Sequence, residues 1–109
     1  MLVSGNGSNL QAIAEACCKN QINSNIINVI SNNPDAFGIV RAKRLNIPHI
    51  CIDHKEFSTR DDFDLSLMRH IEQFDPDLII LAGFMRILTK TFTRCFNGKL
   101  INIHPSILP

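Results

Sequence analysis

The sequence has no tryptophan and no tyrosine, only five glycines and five prolines in 109 residues, and no run of charge of either sign. Its aromatic residues are seven Phe, spread along apolar periodic segments rather than interleaved with Arg and Lys. The stacking platforms of a nucleic-acid binder are therefore missing, and the Phe read as core. Eleven Lys and Arg against ten Asp and Glu leave a net charge of +1, without the electrostatic footprint of a chain that works on nucleic acid or an anionic membrane. Partners of both kinds are thereby disfavoured. The longest apolar run, Leu78 to Met85, is far short of a membrane span, and Met1-Leu2-Val3-Ser4-Gly5 has neither the basic nor the apolar region of a signal peptide. The expected location is cytoplasmic. Cys17, Cys18, Cys51 and Cys95 form no C-x-x-C pair and have no His at zinc-ligand spacing, which points to reduced thiols and no metal.

A chain of 109 residues with 45% hydrophobic content is one domain at most. It buries about two-thirds of its unfolded surface, enough for a core but not for a second lobe. Apolar runs of strand length alternate with segments of helical period, the signature of βαβ units. Strands are expected at Leu2-Val3, Ile26-Ile30, His49-Ile52, Leu78-Ala82 and Leu100-Ile103. Helical spacing relates Leu10, Ile13, Ala14 and Cys17; then Ala36, Ile39, Val40 and Lys43; then Phe63, Leu67, Ile71 and Phe74. A weaker helix is expected from Thr89 to Phe96. Asp61 and Asp62 suit the first turn of the third helix, and Pro76 lies just past its end. The predicted fold is α/β, a Rossmann-like open parallel sheet with flanking helices and no internal boundary.

Ligands of such sheets gather beyond the carboxyl ends of the strands, where strand order reverses. Three segments fall there: Ser4 to Leu10, Ala82 to Leu88, and Asn102 to Pro109. In the first, Gly5-x-Gly7-Ser8-Asn9 leads from a strand into a helix and offers unhindered N–H groups where the dipole favours an anion, with Ser8 or Asn9 as helix cap. A dinucleotide fingerprint requires a third glycine where Leu10 stands, and an acid where the chain has Ser31-Asn32-Asn33, so a monophosphate fits better. A tight turn with no ligand is the competing reading. In the last segment Asn102 and His104, two apart on a strand, share a face before Pro105 ends the ladder. An amide beside a titratable imidazole suits an oxyanion and a proton transfer, hence acyl-group transfer; a buried His satisfied by a carbonyl is the bland alternative. His49, His54 and His70 have no comparable company, and His70 is expected to be solvated.

These segments, S-G-N-G-S-N-L-Q-A-I at 4 to 13, S-N-N-P-D-A-F-G at 31 to 38, L-A-G-F-M-R-I-L at 81 to 88 and N-I-H-P-S-I-L-P at 102 to 109, resemble the phosphoribosylglycinamide formyltransferase family almost end to end. The resemblance implies transfer of a formyl group from 10-formyltetrahydrofolate to the amine of glycinamide ribonucleotide in purine synthesis. It implies a substrate phosphate held by the backbone at Gly7, Ser8 and Asn9. It also implies a folate site made by Arg60, Met85, Arg86, Ile87, Leu88 and Asn102, and catalysis by Asn102 and His104. Chemistry alone reads Arg60 and Arg86 as solvated charges. The last motif is shared more loosely with methionyl-tRNA formyltransferase and formyltetrahydrofolate deformylase, which stay as alternatives beside a non-catalytic phosphate-binding fragment. In the family a catalytic Asp lies beyond the position of Pro109. Residues 1–109 are accordingly expected to form a nucleotide-binding N-terminal domain, truncated before the folate-binding part and inactive alone.

Overall fold

The computed structural model describes residues 1–103. Five strands, β1 (Leu2–Val3), β2 (Val29–Ser31), β3 (His49–Cys51), β4 (Ile79–Ala82) and β5 (Leu100–Ile103), form one parallel sheet in the order β3-β2-β1-β4-β5. Four α-helices connect them: α1 (Ser8–Cys18), α2 (Phe37–Arg44), α3 (Arg60–Phe74) and α4 (Lys90–Cys95). A short 3₁₀ turn at His54–Glu56, absent from the sequence reading, precedes α3. The expected open α/β architecture is present.

Chain order runs outward from β1 to β3, then returns to the other side of β1 for β4 and β5. Because parallel crossovers keep one hand, that reversal puts the later helices on the opposite face of the sheet. The core divides accordingly. Leu2, Ile30 and Ile79 point to the side where Phe63, Leu67, Ile71, Phe92 and Phe96 of α3 and its neighbours pack. Val3, Val29 and Ala82 point to the side of Leu10 and Ala42 from α1 and α2. Alternation of neighbours such as Leu2 and Val3 between faces is the period-two geometry of a strand buried on both sides.

Local chemistry explains the helix limits. Thr59 accepts from the Asp62 N–H at 3.1 Å to cap α3, with Asp61 and Asp62 in the first turn. Asp75 closes that helix in the left-handed region, φ 44°, and Pro76 prevents its continuation. Thr89 caps α4 by accepting from the Phe92 N–H at 3.3 Å.

The expected strand Ile26–Ile30 is displaced to Val29–Ser31. Its pairing partner β1 offers only Leu2 and Val3, which register with Ile30 and Ser31, so Ile26 and Ile27 precede the ladder and Ile27 is exposed. The stripe expected on α2 is also corrected. Gly38 and Ala42 are its buried residues, whereas Val40 is exposed, because only small side chains let α2 approach the sheet this closely. The Phe do not all lie in the core: Phe37 and Phe74 are exposed, and Phe37 lies beneath the guanidinium groups of Arg41 and Arg44, 4.9 and 5.4 Å from its ring centroid.

Gly7 has φ 78°, a conformation that costs a residue with a Cβ about 1–2 kcal/mol. A Cβ there would also stand 2.7 Å from the Gly38 Cα. Gly7→Ala is therefore expected to destabilise the chain by at least about 2 kcal/mol. An unchanged urea midpoint would show that this contact relaxes freely.

Candidate active site

The register places Ile30, Leu2, Leu81 and Asn102 in one row across the sheet. The segments after β1, β2 and β4 therefore leave the sheet at about one level, and strand order reverses between β1 and β4. A crevice at that position is where an open α/β sheet takes a ligand.

On one side is the loop between β1 and α1. Gly7 occupies the cap position of α1, its carbonyl accepting the first helical bond from the Gln11 N–H at 3.0 Å. No side chain caps the helix, so neither Ser8 nor Asn9 serves as the expected cap. The reason is register: both are already inside the helix, which starts at Ser8. The consequence favours an anion, because uncapped amides at a helix N-terminus are its natural partners. α2 supports the loop. The Gly38 N–H donates to the Gly5 carbonyl at 2.9 Å, and a Cβ on Gly38 would lie 3.0 Å from Val3 Cγ2.

Sequence reasoning missed Arg41. Its Nε and Nη2 donate to the Asn6 carbonyl and to Asn6 Oδ1, both at 2.7 Å, and the ring of Phe37 backs it. The guanidinium thus fixes the tip of the glycine loop and brings a positive charge beside it. From sequence, Arg41 is indistinguishable from Lys43 and Arg44, all three being basic residues near the end of α2 that suit the dipole.

On the other side of the crevice is the loop between β4 and α4. Met85 and Ile87 project into solvent, 81% and 72% exposed, while Leu88 turns inward and packs against the core. Arg86 is half-buried with its guanidinium carbon 5.1 Å from the Phe63 ring centroid, so it is not the freely solvated charge that composition implies. Arg60 is exposed at the first position of α3. Asn102 is exposed on β5, opposite Leu81. His104 lies outside the described residues, and so does the shared face expected for it and Asn102.

A buried polar chain joins the two sides. The Met85 N–H donates to Ser4 Oγ at 2.7 Å, and the Ser4 hydroxyl donates to Asn32 Oδ1 at 2.6 Å. Ser4 and Asn32 are 8% and 4% exposed. His54, expected to be without company, has Nδ1 3.0 Å from the Asn32 carbonyl, which accepts from it and ties the 3₁₀ turn to the same cluster. His70 is half-buried, and its Nδ1 donates to the Ser66 carbonyl at 2.7 Å, which corrects its reading as a solvated side chain. A cavity of about 690 Å³ lies elsewhere, at the amino ends of the strands, between Met1, Ile26, Phe74 and Leu78. Its lining also includes Asn23, Asn25, Asn28, Asp75 and Asp77.

The formyl transferase family model matches residues 1–109. Phosphoribosylglycinamide formyltransferase of Escherichia coli (strain K12) is 46% identical over 109 residues, an alignment covering 100% of this chain and 51% of that protein. The Haemophilus influenzae protein of the same name is 47% identical over the same length and likewise covered to 51%. The solved phosphoribosylglycinamide formyltransferase of Coxiella burnetii superposes with a TM-score of 0.91 at 50% identity, over 99% of this chain and 51% of that one. The chain therefore spans about half the length of these relatives. With its whole length accounted for by one family and its fold shared with a solved relative, this chain belongs to the formyl transferase family.

Proposed function

We propose that the chain is the nucleotide-binding half of an enzyme that transfers a formyl group from 10-formyltetrahydrofolate to the amine of glycinamide ribonucleotide in purine synthesis. The observation that carries this reading is the uncapped start of α1 behind Gly7, φ 78°, facing a crevice whose other wall presents exposed Met85 and Ile87. The start of α1 suits a phosphate, and the apolar side chains opposite suit the faces of a flat heterocycle. The names of the bacterial relatives, at 46% and 47% identity, supply the acceptor.

In this reading the amides of Gly7, Ser8 and Asn9 hold the phosphate of the acceptor, with Arg41 keeping the loop in shape. Met85, Arg86, Ile87 and Leu88 flank the formyl donor, and Arg60 meets its acidic tail. Holding both substrates in one crevice brings the amine to the formyl carbon. As the new C–N bond forms, the carbonyl oxygen becomes an oxyanion, which the Asn102 amide and protonated His104 stabilise. The attacking amine loses its proton, the donor's nitrogen takes one up, and the old C–N bond breaks. In this reading Asn102 and His104 supply the oxyanion donors and orientation.

The full-length protein is expected to form formylglycinamide ribonucleotide, and His104→Ala to lower turnover at least about a hundredfold. Product analysis checks both. Undiminished turnover in His104→Ala would overturn the catalytic assignment, formate without formylglycinamide ribonucleotide would make the protein a hydrolase, and nucleotide binding without turnover would leave a binding module.

A further inference from the structure

Asp64 is 2% exposed on the core-facing side of α3, between Phe63 and Leu67. A carboxylate there is costly unless its oxygens are engaged. One is: Oδ2 accepts from the Thr89 N–H at 2.7 Å. The other, Oδ1, has no partner among the described residues. The fold thus keeps a half-satisfied carboxylate in its core for one bond to the far end of the β4–α4 loop. Four residues earlier in the same loop, the Met85 N–H is held by Ser4 Oγ, a group equally out of solvent. Between these two points Arg86 lies over Phe63, the residue before Asp64.

We propose that Asp64 and Ser4 are positioning residues that clamp the main chain of Met85 to Thr89 from opposite sides, so that exposed Met85 and Ile87 present a preset apolar wall to the ring of the formyl donor. This deepens the reading given above and rests on it. Both bonds are to backbone N–H groups, so the clamp holds the loop whatever its side chains are, and leaves Met85 and Ile87 free for contact. Neither Asp64 nor Ser4 touches a substrate; their effect passes through the loop. A loop held before binding loses less conformational freedom when the donor arrives, which is the general source of affinity by preorganisation. Ser4 adds a link to the neighbouring strand end, since its hydroxyl proton goes to Asn32 Oδ1.

The test uses the full-length protein and the variants Asp64→Ala, Asp64→Asn and Ser4→Ala. Loss of one anchoring bond is expected to raise KM for 10-formyltetrahydrofolate about tenfold in Asp64→Ala and in Ser4→Ala. In the Asp64 variants KM for glycinamide ribonucleotide should stay within about twofold, and Asp64→Asn, which keeps an acceptor oxygen for Thr89, should restore most of the donor KM. A purely structural defect would lower active protein without this split between the two substrates. Hydrogen exchange reads the clamp independently of activity: the Thr89 amide should exchange at least about tenfold faster in Asp64→Ala, and the Met85 amide likewise in Ser4→Ala. Unchanged donor KM in a folded variant overturns the proposal, as does unchanged exchange at the released amide. If Asp64→Ala does not fold, Ser4→Ala decides by the same two readings. A parent protein that forms no formylglycinamide ribonucleotide while its variants show the faster exchange overturns the enzymatic reading alone.

Discussion

The close approach of two backbones, at Gly7 and Gly38, is the constraint on which the rest of the site depends. A Cβ on Gly7 would come within 2.7 Å of the Gly38 Cα, and the Gly38 N–H reaches the Gly5 carbonyl at 2.9 Å. The starts of α1 and α2 are thereby locked to one another and to the end of β1. A Cβ at either position would force these segments to shift, since the contacts it would make are 2.7 and 3.0 Å. Left-handed Gly7 also serves as the cap without contributing a side chain, which leaves the first amides of α1 unclaimed by the protein's own oxygens. Arg41 completes this arrangement by gripping Asn6 at two atoms. The glycine loop is thus held by the protein's own contacts.

The sheet supplies the second condition. Reversal of strand order at β1 sends α1 and α2 to one face and α3 and α4 to the other, so the loops after β1 and β4 are neighbours in space although about eighty residues apart in the chain. They approach without an intervening helix. That vacancy between connections is the crevice, and Ser4 at its floor accepts from one loop while donating toward the strand beyond. A hydroxyl suits the position because it accepts and donates at once, which neither an alanine nor a carboxylate does.

Much of this was legible in the sequence because it follows from patterns that tertiary context rarely overrides. Alternating strand and helix periods gave the open parallel α/β sheet, and Asp61, Asp62 and Pro76 marked the limits of α3, whereas the caps Thr59 and Thr89 appear only in the structure. What stayed hidden depends on contacts between distant segments. The stripe on α2 was read as Ala36, Ile39, Val40 and Lys43; Ala36 is buried, but within the helix packing selects Gly38 and Ala42, because a Cβ on Gly38 would already stand 3.0 Å from Val3 Cγ2. The start of β2 could not be inferred from Ile26 to Ile30 alone, since its length is set by the two residues β1 offers for pairing. The bonds of His54 and Asp64 were invisible for the same reason: each joins the backbone of a segment far away in sequence. The turn from β1 into α1 at the glycine loop was legible, while its cap was expected at Ser8 or Asn9 and lies at Gly7, φ 78°.

The two walls of the crevice share one principle, recognition and support through the main chain. On the α1 side the groups aimed outward are amides, so the side chains of Ser8 and Asn9 are free of any capping duty and the constraint falls on Gly7 and Gly38 behind them. On the β4 side the exposed groups are side chains, but the loop that carries them is held by its amides at Met85 and Thr89, so the constraint falls on Ser4 and Asp64 beneath. In both cases the groups left exposed differ from those that fix their position. Polar atoms kept out of water are the thermodynamic cost of this design, and at Asp64 Oδ1 and Arg86 Nε the cost is not offset by any partner among the described residues. A fold selected for stability alone would replace such groups with apolar ones of similar volume. Such burial is not confined to that loop, since Asn28 Oδ1 just before β2 is likewise unpartnered and Ser31 is fully buried, but around the loop it accompanies the bonds that hold the Met85 and Thr89 amides.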